Sequence, residues 1–120
     1  MKPTELIKMA RIATYDTALG QQTWEDKQYL AALNDGRAFL FTRFPEARVT
    51  AVVGLTAYEE IEEKNIAVTM TEDDVYRAFF ISWMTFRFFS AGSRDTANAQ
   101  KAQDHKKDAL LALSSLTGGR

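Results

Sequence analysis

The stretch that most constrains this chain is Trp24 to Glu46, WEDKQYLAALNDGRAFLFTRFPE, because its centre points two ways. Asn34-Asp35-Gly36 is a strong hairpin signal when strands flank it. Here the flanks follow a three-four rhythm instead: Leu30, Leu33, Arg37, Leu40, Phe41 and Phe44. A strand needs alternation, and Tyr29-Leu-Ala-Ala-Leu33 has none; alanine is also a poor strand former. One glycine inside a helix costs about 1 kcal/mol against alanine. Burying Leu30, Leu33, Leu40 and Phe44 is worth roughly 1.5–3 kcal/mol each, so burial outweighs the glycine. The segment is predicted as one long helix, with Gly36 as the place where a second helix comes close. Thr23 offers its cap, with Asp26 three residues on as a weaker capping-box partner. Glu25 and Asp26 put negative charge where the helix dipole favours it. Phe44 precedes Pro45, which disfavours helical backbone at Phe44 and closes the segment.

With 120 residues and 46% hydrophobic composition, the chain has the size and the apolar content for one domain with a real core. A net charge of −1 argues against a dedicated nucleic-acid binder. The absence of cysteine excludes disulfides, thiolate zinc sites and a cysteine nucleophile. Met1-Lys-Pro-Thr-Glu is polar and lacks the apolar run of a signal peptide. Val75 to Ala91 is apolar, but Arg77 and Arg87 leave only a short stretch between them, far below the ~20 residues that span a bilayer. It reads as a buried helix, and no membrane association is expected.

The other elements follow from period and punctuation. Thr4 to about Thr14 reads as a first helix, capped at Thr4, with Leu6, Ile7, Ala10 and Ala13 on one face. Residues 15–22 read as a loop. Arg48 to Val53 is β-branched and reads as a strand, with Ile66 to Met70 as its partner. Between them Thr56-Ala-Tyr-Glu59 has a capping-box pattern, followed by Glu59, Glu60, Glu62 and Glu63, a solvated acidic face. Residues of about 46–70 are therefore expected to form an extended arm or β-hairpin with a short helical tip. Thr71 begins the next helix, with Glu72, Asp73 and Asp74 in its first turn. From Ala78 to Phe89 that helix is apolar nearly all round, the mark of a central core helix. The last helix runs from Arg94 or Asp95 to Leu116, with Ala99, Ala102, Ala109, Leu113 and Leu116 inward and Lys101, Lys106 and Lys107 outward. Residues 117–120 read as a flexible tail. The expected fold is mainly α: a small bundle of about four helices, residues 1–116, with an arm between the second and third.

The expected core and helix-packing residues are Trp24, Leu30, Leu33, Gly36, Leu40, Phe44, Phe79, Trp83 and Phe86. Arg77 and Arg87 lie about 80° apart on an ideal helix and are candidates for buried ion pairing with a helix-2 carboxylate such as Asp35. The aromatic load of Tyr76 to Phe89 is large for so few helices. It either fills a monomer core or leaves surface for a neighbouring subunit. Candidate contacts to another subunit or partner are Val49, Val52, Tyr58, Glu59, Glu60, Glu62, Glu63, Leu116 and Arg120.

No catalytic constellation emerges. The single histidine, His105, sits on a lysine-flanked helix and reads as a surface or interface residue. No phosphate loop, HExxH or nucleophile elbow is present. The expectation is a protein without enzymatic activity, cofactor or metal.

Two blocks carry a resemblance. The first is Trp24-Glu-Asp, then Tyr29-Leu-x-x-Leu-Asn-Asp-Gly36, ending in Arg43-Phe-Pro-Glu-Ala47. The second is Glu72-Asp-Asp through Phe86-Arg-Phe-Phe-Ser90, then Asp95-Thr-Ala-Asn-Ala99 and His105. Together they resemble the head–tail adaptor (connector, or neck) proteins of tailed bacteriophages, over roughly two-thirds of the chain. Between Ala47 and Thr71 the chain is shorter than that pattern. The resemblance implies a virion protein, made in the host cytoplasm, that forms a homo-oligomeric, dodecameric ring. Such a ring sits beneath the portal protein, extends the channel for genomic DNA without specific binding, and receives tail or nozzle proteins. A tail-completion or other neck protein, and a small helical interaction or regulatory module, are the alternatives.

Overall fold

The computed structural model describes residues 1–16, 23–43, 59–91 and 96–117. Four helices account for most of them: α1 (Pro3–Thr14), α2 (Asp26–Arg43), α3 (Arg77–Ala91) and α4 (Thr96–Thr117). Two single 3-10 turns, Glu63–Asn65 and Asp74–Tyr76, precede α3. The mainly helical expectation stands, and Asn34-Asp35-Gly36 lies inside a continuous helix.

The inserted β-hairpin is not supported. Among the described residues there is no strand, and Ile66 to Met70, read from sequence as one, pairs with the chain's N-terminal residues. The Ile66 carbonyl accepts from the Thr4 N–H at 3.1 Å, and the Met70 N–H donates to the Met1 carbonyl at 2.9 Å. The Val68 N–H closes a turn onto Asn65 O. Tertiary bonds to the start of α1 thus take the backbone groups that a ladder would need. Val49, Val52 and the rest of the proposed first strand lie outside the described residues, as do Phe44, Tyr58 and Arg120.

Helix boundaries shift for identifiable reasons. Pro3 occupies the first turn of α1, where its missing N–H is harmless, so the helix starts one residue before the expected Thr4 cap. Its end is a Schellman-type close: Tyr15 N–H to Ile12 O and Asp16 N–H to Arg11 O, with Tyr15 left-handed at φ 59°. Helix α2 starts later than Thr23. The Thr23 and Trp24 N–H groups are spent on the Asp16 carboxylate, at 2.6 and 3.1 Å. Glu25 takes the capping position, its N–H bonded to Gln28 Oε1 at 2.8 Å, the return half of a capping box. Helix α3 starts later than Thr71, because the Asp73 carboxylate caps the 3-10 turn through the Val75 N–H.

The core gathers on α3, which packs against α1, α2 and most extensively α4. Leu6, Ile7 and Ala10 enter from α1, and Tyr29, Leu30, Leu33 and Leu40 from α2. Phe79, Phe80, Trp83 and Met84 form the centre, closed by Ala109 and Leu113 of α4. Leu116, expected to point inward, is exposed. No helix among the described residues is long and apolar enough to cross a membrane.

Candidate functional site

The three residues at the centre of α2 each serve a different contact. Gly36 leaves room for Trp83: a β-carbon there would stand 2.9 Å from Trp83 Cδ1. Asp35 accepts from Trp83 Nε1 at 2.9 Å, and its same oxygen lies 3.5 Å from Arg87 Nε. Asn34 turns the other way and clamps Ile61, donating Nδ2 to its carbonyl at 3.0 Å and accepting its N–H at 2.9 Å. The amide thus pairs with one residue as a strand neighbour would.

Aromatic rings lock the joint. Trp83 sits against Phe39, Phe79 and Phe86, with centroids 4.7, 5.6 and 5.2 Å apart. Trp24 meets Tyr29 and Phe88 edge-on, both at 5.1 Å. Trp24 and Phe86 are half-buried at the margin of the core, whereas Leu30, Leu33, Leu40, Phe79 and Trp83 are within it. The indole of Trp83 is therefore held on three sides and by one hydrogen bond.

Of the arginines expected to pair with α2, Arg87 meets Asp35, but both side chains are about half exposed (48% and 45%). Solvent screening leaves such a pair little net worth. Arg77 lies 3.9 Å from Asp74 on its own turn, not beside Asp35. The buried ion pairs are elsewhere. Arg37 donates Nε to Glu72 at 2.6 Å, and Nη1 to Asn34 Oδ1 and the Glu59 carbonyl at 3.1 and 2.8 Å. Both members of the Arg37–Glu72 pair are more than nine-tenths buried. Sequence held a signal for this: Arg37 falls within the apolar rhythm of α2, and a cation on a buried face requires an anion.

Asp16 is the second polar centre, and no local pattern announces it. Its carboxylate receives the Thr23 and Trp24 N–H groups, Arg11 Nη1 at 3.2 Å and the Tyr29 hydroxyl at 3.0 Å. Arg11 also reaches Asp26 at the start of α2, at 2.8 Å. Burial, with the negative Asp16 beside it, holds the Tyr29 hydroxyl well above the ordinary tyrosine pKa. At the chain start, the terminal ammonium 2.7 Å from Asp74 holds that carboxyl below its usual range.

Outward surfaces differ in character. Glu59, Glu60, Glu62 and Glu63 are exposed, Glu62 pairing with Lys64 at 3.1 Å. His105 stacks on Phe89 at 5.6 Å, flanked by Lys101 over the same ring and Lys106 over Phe86. Leu110 and Leu111 stand exposed on the far side of α4. A shallow hollow of about 460 Å3 between α2 and the end of α3 has Asp35 and Arg87 in its wall. No group of His, Asp or Glu among the described residues is arranged to hold a metal ion. The polar groups at the joint tie α2 to α3, Asp35 taking both the Trp83 indole N–H and the Arg87 guanidinium. Compared with protein-family models, curated proteins and solved structures, the chain matches none.

Proposed function

We propose that this protein is a structural subunit of the tailed-phage head–tail junction. It assembles as a ring beneath the portal, extends the DNA channel and offers a platform for tail or nozzle proteins. Its role is mechanical, without catalysis or cofactor.

The observation that carries the reading is the way the two resembling blocks meet. Trp24, Asp35 and Gly36 from the first lie against Phe88, Arg87 and Trp83 from the second. Residues far apart in sequence thus form one packed joint, which supports reading the two blocks together. A net charge of −1 is also suited to a channel wall along which DNA slides, since sixteen acidic residues offset the fifteen Lys and Arg and leave no basic excess to hold phosphates.

The test is to mix the purified protein with the portal protein encoded in the same genome and image the product by electron microscopy. A ring seated on the portal is expected. A folded protein that never co-assembles with the portal overturns the reading. Recovery on tail tubes alone favours a tail-completion subunit instead.

A further inference from the structure

Between Glu59 and Glu72 the chain is ordered with very little burial behind it. Every residue from 59 to 71 is exposed except Ile61, Ile66 and Met70. Met70 is buried, while Ile61 and Ile66 pack only at the margin of the core. The 3-10 turn Glu63–Asn65 packs extensively on none of the four helices. A hollow of about 300 Å3 lies between the segment and Arg37, lined by Glu59, Asn65, Val68 and Met70 among others. Three apolar anchors are a small return for ordering the whole segment.

Polar contacts at a few points hold it instead. Near one end, Arg37 donates Nη1 to the Glu59 carbonyl at 2.8 Å, and Asn34 takes both backbone groups of Ile61. Near the other, the Ile66 carbonyl meets Thr4 and the Met70 N–H meets Met1. One guanidinium joins the two ends, because Arg37 Nε is fixed on Glu72 at 2.6 Å while Nη1 reaches back to Glu59 and to Asn34 Oδ1. Within the segment, the N–H groups of Asn65, Ile66 and Val68 bond to carbonyls three residues back. Contacts that share one guanidinium, on a segment bonded to itself, are made and lost together.

We infer that residues 59–71 are a strap that lifts off α2 and the N-terminal residues as one unit while the four helices stay packed, with Arg37 as its clasp. Opening breaks the bonds of Glu59 and Ile61 to α2 and those of Ile66 and Met70 to Thr4 and Met1 in a single event. The Arg37–Glu72 pair stays behind as the fixed side of the clasp. The device is built into the fold and holds or fails independently of the head–tail reading.

Native-state hydrogen exchange of the wild-type protein at low urea is the first test. The amides of Thr4, Ile61, Ile66 and Met70 are expected to share one rate of opening, faster than that of α3 and α4, with a weak urea dependence because little surface is exposed. Leu113→Val, which loosens the core at α4, should speed exchange in α3 and α4 and leave those four amides unchanged. Arg37→Lys keeps a cation for Glu72 but lacks the fork that reaches Glu59 and Asn34. It should speed all four amides together, about tenfold or more. Trypsin gives a second readout, since Lys64 is the single lysine or arginine between residues 59 and 72 and its neighbours' N–H groups are tied into the turn. Nicking after Lys64 should quicken by the same factor in Arg37→Lys. The inference is overturned if the four amides exchange in wild type only at the rate of α3 and α4, or follow them in Leu113→Val. It is equally overturned if Arg37→Lys, folded by circular dichroism, speeds Ile61 alone or none of the four. Should Arg37→Lys fail to fold, the wild-type and Leu113→Val measurements decide the matter.

Discussion

The indole of Trp83 occupies the space that a β-carbon on residue 36 would need, with Cδ1 only 2.9 Å from that position. Ring neighbours on three sides and the Nε1 bond to Asp35 leave the indole little room to retreat. Gly36→Ala therefore sets a helix-propensity gain of about 1 kcal/mol against an overpacking cost of roughly 1–3 kcal/mol. A net loss near 1 kcal/mol is expected in urea melts, and a clearly larger one for Gly36→Leu. An alanine variant as stable as wild type would mean that the indole moves aside freely.

Trp83→Ala is expected to cost about 3–5 kcal/mol, the range for large aromatic truncations in cores. The double variant gives the sharper reading. With the indole gone, Gly36→Ala should become neutral or stabilising, because only the propensity gain remains. Additive losses in the cycle would show that the two residues do not couple.

The Arg37–Glu72 pair predicts an asymmetry. Glu72→Ala leaves a buried guanidinium without its anion and should cost about 3–5 kcal/mol. Glu72→Gln keeps a hydrogen-bond acceptor and should cost less. By contrast, Asp35→Asn removes a half-exposed partner of Arg87 but keeps an acceptor for the indole, and should stay within about 1 kcal/mol. Chemical denaturation of the three variants in one buffer ranks them directly.

Asn34→Asp separates the two halves of the Ile61 clamp. The carboxylate still accepts from the Ile61 N–H and Arg37 but has no donor for the Ile61 carbonyl. A loss of about 1–3 kcal/mol is expected, the usual consequence of an unsatisfied buried group. Hydrogen exchange should report it locally: faster exchange at residues 61–66 and unchanged protection in α4.

Tyr29 gives a pH prediction. Its folded-state pKa lies above the unfolded value of about 10. The stability it confers is therefore complete below about pH 10 and is lost as pH rises toward the folded value, because only the unfolded chain ionises there. Tyr29→Phe should lose about 1.5–3 kcal/mol at pH 7, the worth of a hydrogen bond to a charged acceptor, and should show a shallower alkaline decline. Thermal melts from pH 7 to 11 test both parts. A decline as steep as wild type would place the alkaline sensitivity elsewhere.

Much of the helical frame was legible because it rests on periodicity. Leu30, Leu33 and Leu40 repeat on one face of α2, and α3 is apolar enough to announce a central position. Residues 66–70 were not, since β-branched residues fit a strand and an irregular half-buried segment alike. What settles them is the long-range pairing of Ile66 with Thr4 and Met70 with Met1, which no local window contains. Asp16 escaped for the same reason: its four donors come from α1, the following loop and α2, and converge only in three dimensions. The reach of Arg87 to Asp35 was legible from helix geometry, but its exposure was not, because the depth of a side chain depends on what covers it.

The bonds between Met1, Thr4, Ile66 and Met70 also impose an order in time. Helix α1 precedes the other three along the chain, yet its Thr4 N–H meets its backbone partner, the Ile66 carbonyl, only once the middle of the chain has emerged. Helices α3 and α4 are consecutive and share the most extensive interface, so their pairing closes the shortest loop. Docking of the start of α1 onto residues 66–70 is therefore expected after the pairing of α3 with α4. Pulse-labelled hydrogen exchange during refolding should protect amides of α3 and α4 before those of Thr4 and Met70.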